Sequence, residues 1–310
     1  MSGVLASLPL DRVALAISAF RSDEAVIALL SSVFSPATAQ FGAVIVVESL
    51  GSGEIAKAIA ANGWKVDYHD SGVNLGSAGN LALRLRKAAA TGLDWCLALN
   101  HDAELDPTKA ARLVDVGQSR ERVGAVYPQL RFTSARDRLD KPRGGFGTVG
   151  YLQGEGSADS RPVAVSWSSS NGSLYRLDPI RDGLDTWPEL WMGYEDLAIG
   201  WEYRRRGWAQ LTCPSVVVDD NYEFRAVRLP WRTIYIADKP AWYAYYQSRN
   251  LALIARKSKG QAVSWWSLAT RLLLDHMLLI IRDQRMTRAR LLWRGLFDGL
   301  RGRTGKGPVP

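Results

Sequence analysis

Leu93-Asp94-Trp95-Cys96-Leu97-Ala98-Leu99-Asn100-His101-Asp102 is an apolar run of strand length that ends abruptly in an amide, an imidazole and a carboxylate. A strand that is apolar without alternation is covered on both faces, as in a parallel sheet flanked by helices. The chain repeats the pattern on either side. Val13–Phe20, Gly42–Glu48, Trp64–His69 and Val123–Leu130 are further strand-like runs. Between them, Glu24–Phe34, an alanine-rich stretch closing at Asn62, Leu81–Ala90 and Pro107–Arg120 have helical character. Strands alternating with helices of about ten residues predict an α/β fold with a mostly parallel sheet and right-handed crossovers.

Ligands of such sheets bind beyond the carboxyl ends of the strands. Those ends carry Ser18-Ala19-Phe20-Arg21, Glu48-Ser49, Asp70 and Asn100-His101-Asp102. After the third strand comes Asn74-Leu75-Gly76-Ser77-Ala78-Gly79-Asn80. Gly76 and Gly79 let backbone approach a ligand, and Asn80 stands where a helix is expected to start and N–H groups favour anions. The segment reads equally as a turn with an N-cap. It is neither a Walker loop nor a dinucleotide fingerprint. Asp102, beside His101 and close to Glu104, suits an oxygen-rich site for Mg²⁺ or Mn²⁺, or a capped turn before Pro107.

Residues 131–161 lose all periodicity, and order returns with Val163–Ser169, Asn171–Arg176 and Leu211–Val218. From Trp191 and Tyr194 the chain enters a helix that opens on Glu195-Asp196 and closes on Arg204-Arg205-Arg206-Gly207. Acids first, bases last and a terminal glycine suit the helix dipole and a left-handed cap. Taken alone, the acid pair is better explained by dipole compensation than by chemistry.

Ordered along the chain, these segments resemble family-2 inverting glycosyltransferases, with bacterial rhamnosyltransferase-like members as the nearest look-alikes. The carriers are Val46-Val47-Glu48-Ser49, the Asn74–Asn80 loop, Leu97–Asp102, Asn171-Gly172-Ser173-Leu174, Tyr194-Glu195-Asp196 and Tyr245-Tyr246-Gln247-Ser248-Arg249-Asn250. The likeness runs from about residue 12 to residue 257 and extends to a similar ending at Asp298–Arg303. It implies a GT-A fold: a catalytic domain over 1–225, with donor binding in 12–130 and acceptor and base in 163–225, and a helical extension over 226–310. It also implies that Asp196 is the base, Glu195 positions a sugar, and Asn171, Trp191 and Tyr194 meet the acceptor. The donor, a nucleotide-diphospho-sugar, would meet Ser18, Phe20, Arg21, Glu48, Asp70, Asn74, Gly76, Gly79, Asn80, Asn100, His101 and Arg249. The acceptor would be a glycan or a lipid-linked glycan of bacterial surface polysaccharide synthesis, and the sugar a hexose or deoxyhexose. The family's Asp-x-Asp motif falls on Asn100-His101-Asp102, so Asp102 would hold the divalent cation and the first acid is missing. Asp219-Asp220 supplies a candidate second carboxylate. The lost acid also motivates a second reading, a nucleotide-sugar-binding scaffold without turnover.

Of the net charge of +8, residues 262–310 hold a surplus of six, nine bases against three acids. The body is near neutral. A cationic tail without stacked aromatics or a recognition helix argues against nucleic acid as partner. Its amphipathic helices are too short and polar to span a bilayer; they suit either an anionic membrane surface or packing on the domain or a second subunit. Cys96 and Cys213 lack metal-like spacing, and Met1–Leu10 lacks signal-peptide character. Both features predict a reduced, cytoplasmic protein, peripheral on the membrane if its tail binds lipid.

Overall fold

The computed structural model describes residues 10–35, 40–101, 103, 107–132, 161–220, 223–229 and 232–307. Asp102, Glu104 and most of the aperiodic 131–161 stretch lie outside the described residues. The chain begins β1 (Val13–Ala19), α1 (Asp23–Val33), β2 (Ala43–Glu48), α2 (Glu54–Asn62), β3 (Asp67–Asp70) and α3 (Gly76–Ala90). It continues β4 (Trp95–Asn100), α4 (Pro107–Gln118), β5 (Val123–Phe132), β6 (Val163–Ala164), β7 (Ser173–Arg176) and the single turn α5 (Asp178–Arg181). Then come α6 (Glu195–Arg205), β8 (Ala209–Asp220), β9 (Phe224–Leu229), β10 (Arg232–Ala237), α7 (Tyr243–Lys257), α8 (Trp265–Leu278) and α9 (Arg285–Leu300).

Eight strands form one sheet in the order β3-β2-β1-β4-β7-β5-β8-β6. The pairs β3–β2, β2–β1, β1–β4 and β5–β8 are parallel. β7 runs antiparallel between β4 and β5, and β6 antiparallel on the far edge. The sheet is therefore mostly parallel, as the alternation predicts, with a reversal at β7. Among the described residues no helix lies between β6 and β7: the chain turns through Gly172 at φ +71° and runs back.

Side-chain size sorts the two faces. Val13, Leu15 and Ile17 of β1 and Trp95, Leu97 and Leu99 of β4 pack with α1 and α4. Ala14, Ala16, Cys96 and Ala98 point the other way, against Leu81, Leu85 and Ala88 of α3. Small residues there let α3 lie close to the sheet. Each large side chain so buried contributes about 1.5–3 kcal/mol.

Three expectations need correction. α3 begins at Gly76, not after Asn80, so Asn80 is a helix-interior residue. β3 begins at Asp67, because Trp64 instead stacks on Phe34 with centroids 5.8 Å apart. The stretch assigned to a helical extension first forms the antiparallel hairpin β9–β10. A third core cluster joins Ala78 of α3, Leu197 and Ala198 of α6, Leu251 and Ala255 of α7, Leu268 of α8 and Leu296 of α9. α9 crosses α7 at backbone contact: a Cβ on Gly295 or Gly299 would stand 2.2 Å from the Tyr245 carbonyl oxygen or 2.4 Å from that of Arg249. Only glycine fits there.

Candidate active site

The carboxyl edge of the parallel strands gathers the polar ends that the sequence marks. At the end of β1 the Ser18 hydroxyl donates to Asn100 Oδ1 at 3.3 Å. Phe20 is left 39% exposed, with the Arg21 guanidinium 5.2 Å from its ring centroid. Arg21 is held at φ +53°. On β2, Glu48 is buried and accepts the Tyr68 hydroxyl at 2.5 Å. Burial raises its carboxyl above the ordinary range, against the pull of the Tyr68 hydrogen bond. Asp70 on β3 behaves oppositely. Its Oδ1 accepts the N–H groups of Gly72 at 2.9 Å and Gly51 at 3.1 Å, which lowers its pKa.

At the end of β4 an amide chain crosses the sheet. The Asn100 N–H donates to Asn171 Oδ1 at 3.2 Å, and Asn171 Nδ2 donates to Asp220 Oδ2 at 3.1 Å. Asn171 is buried, so this chain fixes Asp220 of β8 relative to β4. His101 follows in a turn, and Asp102 lies outside the described residues. Asp219 is turned to Arg131, which it accepts at 2.5 and 2.7 Å.

The glycine-broken loop folds against the approach to α6. Asn74 Oδ1 caps Gly76 N–H at 2.9 Å, and the Asn74 carbonyl accepts Trp191 Nε1 at 3.2 Å. Ala78 N–H donates to the Trp191 carbonyl at 3.1 Å, and Gly193 N–H to the Ser77 hydroxyl at 3.3 Å. Gly76, at φ +66°, leaves no room for a side chain: its Cβ would lie 2.0 Å from the Trp191 oxygen. Gly79 is less crowded, with Leu75 Cβ at 3.2 Å from such an atom. Asn80 turns away from the open edge and donates to the Val47 carbonyl at 3.0 Å. It braces α3 against β2 and is no helix-start anion donor.

Trp191, Gly193 and Tyr194 all have left-handed backbone, at φ +57°, +80° and +66°. For the two non-glycine residues this costs of order 1 kcal/mol or more each. What holds the strain is Asn250 of α7, whose Nδ2 donates to the carbonyls of Leu190, Met192 and Gly193 at 3.0, 2.7 and 2.8 Å. Arg249 beside it donates to the carbonyls of Leu190 and Gly305 at 2.6 and 2.5 Å and stacks over Tyr246. The sequence assigns Arg249 to the diphosphate; its guanidinium instead lies buried on carbonyls, and it positions the loop before α6. Trp191 completes the clamp by stacking on Tyr246 at 4.9 Å.

The loop delivers Glu195 and Asp196 to the first turn of α6. Glu195 is buried, and burial raises its pKa, opposed by the Ser77 hydroxyl, nearby backbone N–H groups and the charge of Arg84. Its Oε2 has no hydrogen-bond partner among the described residues. Two cations that sequence reasoning did not single out face this pair. Arg84 of α3 is fully buried and donates to the carbonyls of Ala16 and Leu99 at 3.1 and 2.9 Å. Burial drives its pKa down to about 10, while Glu195 and Asp196 act to raise it. Lys239, just past β10, is lowered by burial and feels both Asp220 and Glu195. Ser77, Asn80 and Arg84 follow helical spacing, so one face of α3 carries all three.

The chemistry of the set is acid–base and oxyanion-binding. Among the described residues no three His, Cys, Asp or Glu side chains gather in a metal-like group. Asp220, held by the Asn171 side-chain amide, supplies carboxylate oxygen of the hard type that suits a divalent cation.

No family model and no curated protein sequence matches the chain. Solved structures do. One is GalNAc-T7 with UDP, GalNAc and Mn²⁺, at TM-score 0.57 and 12% identity, covering 93% of this chain and 56% of that one. Another is the mannosyltransferase PcManGT from Pyrobaculum calidifontis in complex with GDP-Man and Mn²⁺, at TM-score 0.54 and 13% identity, covering 93% and 87%. The chain thus spans little more than half of the first and most of the second. It has the GT-A-type fold of these glycosyltransferases.

Proposed function

We propose that the protein is a glycosyltransferase that moves a sugar from a nucleotide-diphospho-sugar to a hydroxyl acceptor with inversion. The observation that carries this reading is the placement of Glu195-Asp196: a strained loop, clamped by Asn250, sets a buried Glu195 and a half-buried Asp196 beside the carboxyl edge of a GT-A-type sheet. Inversion needs a base on the side of the sugar opposite the leaving diphosphate. Asp196 is that base, accepting the acceptor hydroxyl proton as the hydroxyl oxygen bonds to the anomeric carbon. Glu195 takes a sugar hydroxyl on its unpartnered Oε2. The exposed Phe20 and Arg21, with Glu48 and Asp70, form the nucleoside side of the cleft, and Asn74, Asn100 and His101 the diphosphate side. Asn171, Trp191 and Tyr194 border the acceptor side. Resemblance to rhamnosyltransferase-like sequences favours a hexose or deoxyhexose donor and a glycan acceptor of surface polysaccharide synthesis.

A divalent cation would be held by Asp220 at the end of the Asn100–Asn171–Asp220 chain and, on the sequence resemblance, by Asp102. When bound, it would offset charge on the diphosphate. Lys239 adds fixed positive charge on the same side.

Asp196→Asn is the direct test, because general-base help is worth ~10²–10⁴ in rate. Transfer should fall by that much, while the thermal shift given by the preferred nucleotide sugar with Mn²⁺ persists. Unchanged turnover would remove Asp196 from its role. A nucleotide-sugar shift without turnover in the parent protein would favour the scaffold reading, which the amide at Asn100 motivates.

A further inference from the structure

Residues 262–301 expose more large apolar surface than any folding role requires. On α8 and the turn after it, Trp266, Leu273, Met277 and Ile280 recur at helical spacing and face solvent, with Trp266 and Ile280 78% and 79% exposed. On α9, Met286, Trp293, Phe297 and Leu300 repeat the same spacing and are likewise exposed. The opposite faces carry Leu268 and Leu296 into the shared core with α7. The rings of His276 and Trp293 lie 5.5 Å apart, so the two stripes adjoin. A contiguous patch of this kind marks an interaction surface.

The charge around the patch has one sign. All three acids of the segment are paired within the protein: Asp275 with Arg271 at 3.0 Å, Asp283 with Arg288 at 3.2 Å, and Asp298 with Arg303 at 2.8 Å. Arg285, Arg290, Arg294 and Arg301 are exposed. Arg290, Arg294 and Arg301 sit within a turn of Trp293, Phe297 and Leu300 on α9, and the Arg301 guanidinium lies 5.9 Å from the Phe297 ring centroid. A second copy of this face would bring arginines against arginines, whereas an anionic surface complements them. No helix among the described residues is long and apolar enough to cross a membrane. Arginines interleaved with tryptophan and phenylalanine on a non-spanning helix suit the headgroup–acyl boundary of a bilayer.

We propose that the exposed faces of α8 and α9 together dock the protein flat on an anionic lipid surface. The proposal rests on this patch and not on the transfer chemistry, so it survives if the assignment of Asp196 fails.

Sedimentation of the full chain with vesicles tests it without reference to activity. The protein should pellet with phosphatidylcholine–phosphatidylglycerol vesicles, far less with phosphatidylcholine alone, and less as salt rises. Arg290→Gln and Arg294→Gln should each weaken binding by about fivefold. The double variant Trp293→Ser, Phe297→Ser should weaken it by at least about tenfold, with an unchanged circular dichroism spectrum. Equal pelleting with neutral and anionic vesicles would overturn the proposal. So would absence of binding, or a doubled mass in light scattering that those two apolar substitutions abolish, which would assign the patch to a second copy.

Discussion

Asp70 on the strand rim of the cleft and Glu195 on its helix rim are held by opposite physics. On the strand rim, Asp70 stands in solvent and accepts two backbone N–H groups, which lower its pKa. On the helix rim, Glu195 is buried among groups that only partly compensate its lost hydration, and its pKa rises. The same functional group is thus kept ionised on one side and drawn toward neutrality on the other. The strand rim uses loop amides, those of Gly72 two residues on and Gly51 nineteen residues back. The helix rim relies on Arg84, Asn250 and Lys239, contributed by α3, α7 and the end of the hairpin. One rim is local and the other is assembled by the whole fold.

Substitutions can separate the two. The largest effect is expected at Arg84, whose removal takes a donor from carbonyls of β1 and β4 and leaves the acid pair without its buried counter-charge. Arg84→Met should cost about 3 kcal/mol in urea unfolding. A loss under about 1 kcal/mol would mean that Arg84 does not hold the helix rim together. Gly76→Ala comes next. The added methyl meets the Trp191 carbonyl at 2.0 Å at a left-handed backbone position, and a loss of about 2 kcal/mol should accompany reduced transfer, since the two rims meet there.

Glu195→Gln should reverse in sign. A raised carboxyl contributes stability that is complete below its ordinary value of 4.5 and is lost as pH rises through the folded value. The glutamine variant should therefore melt higher than the parent at neutral pH and gain nothing in acid; melting curves across pH decide it. Asp70→Asn should give the smallest change and the opposite trend. Its lowered pKa contributes stability above the ordinary value of 3.8 that is lost as pH falls through the folded value. Solvent exposure holds that contribution to about 0.5 kcal/mol or less. Matching pH profiles for the two variants would erase the distinction between the rims.

This division also explains what the sequence made legible. The strands β1, β2 and β4 announce themselves as unbroken apolar runs, and their ends supply Ser18, Glu48 and Asn100. The start of α6 at Glu195 and its glycine stop at Gly207 follow helix-end chemistry, and both stand where the pattern puts them. β7 was legible only as a return of order at Asn171–Arg176, because four residues carry no record of which edge the chain arrives from. Arg84 and Arg249 show the limit more sharply. A mid-helix arginine looks solvated in sequence, and only packing shows Arg84 beneath the sheet and Arg249 on carbonyls. Asn250 likewise gains its role from three carbonyls nearly sixty residues upstream.

The Gly295–Gly299 crossing has a mechanical consequence. Because α9 touches the α7 backbone with no side chain between, rotation of one helix about its axis relative to the other is blocked. Asn250, which grips the loop before Glu195, and the arginine-lined outer stripe of α9 therefore belong to one cooperative unit. Their amides should exchange with deuterium together, and a valine at Gly295 should loosen both ends of that unit at once.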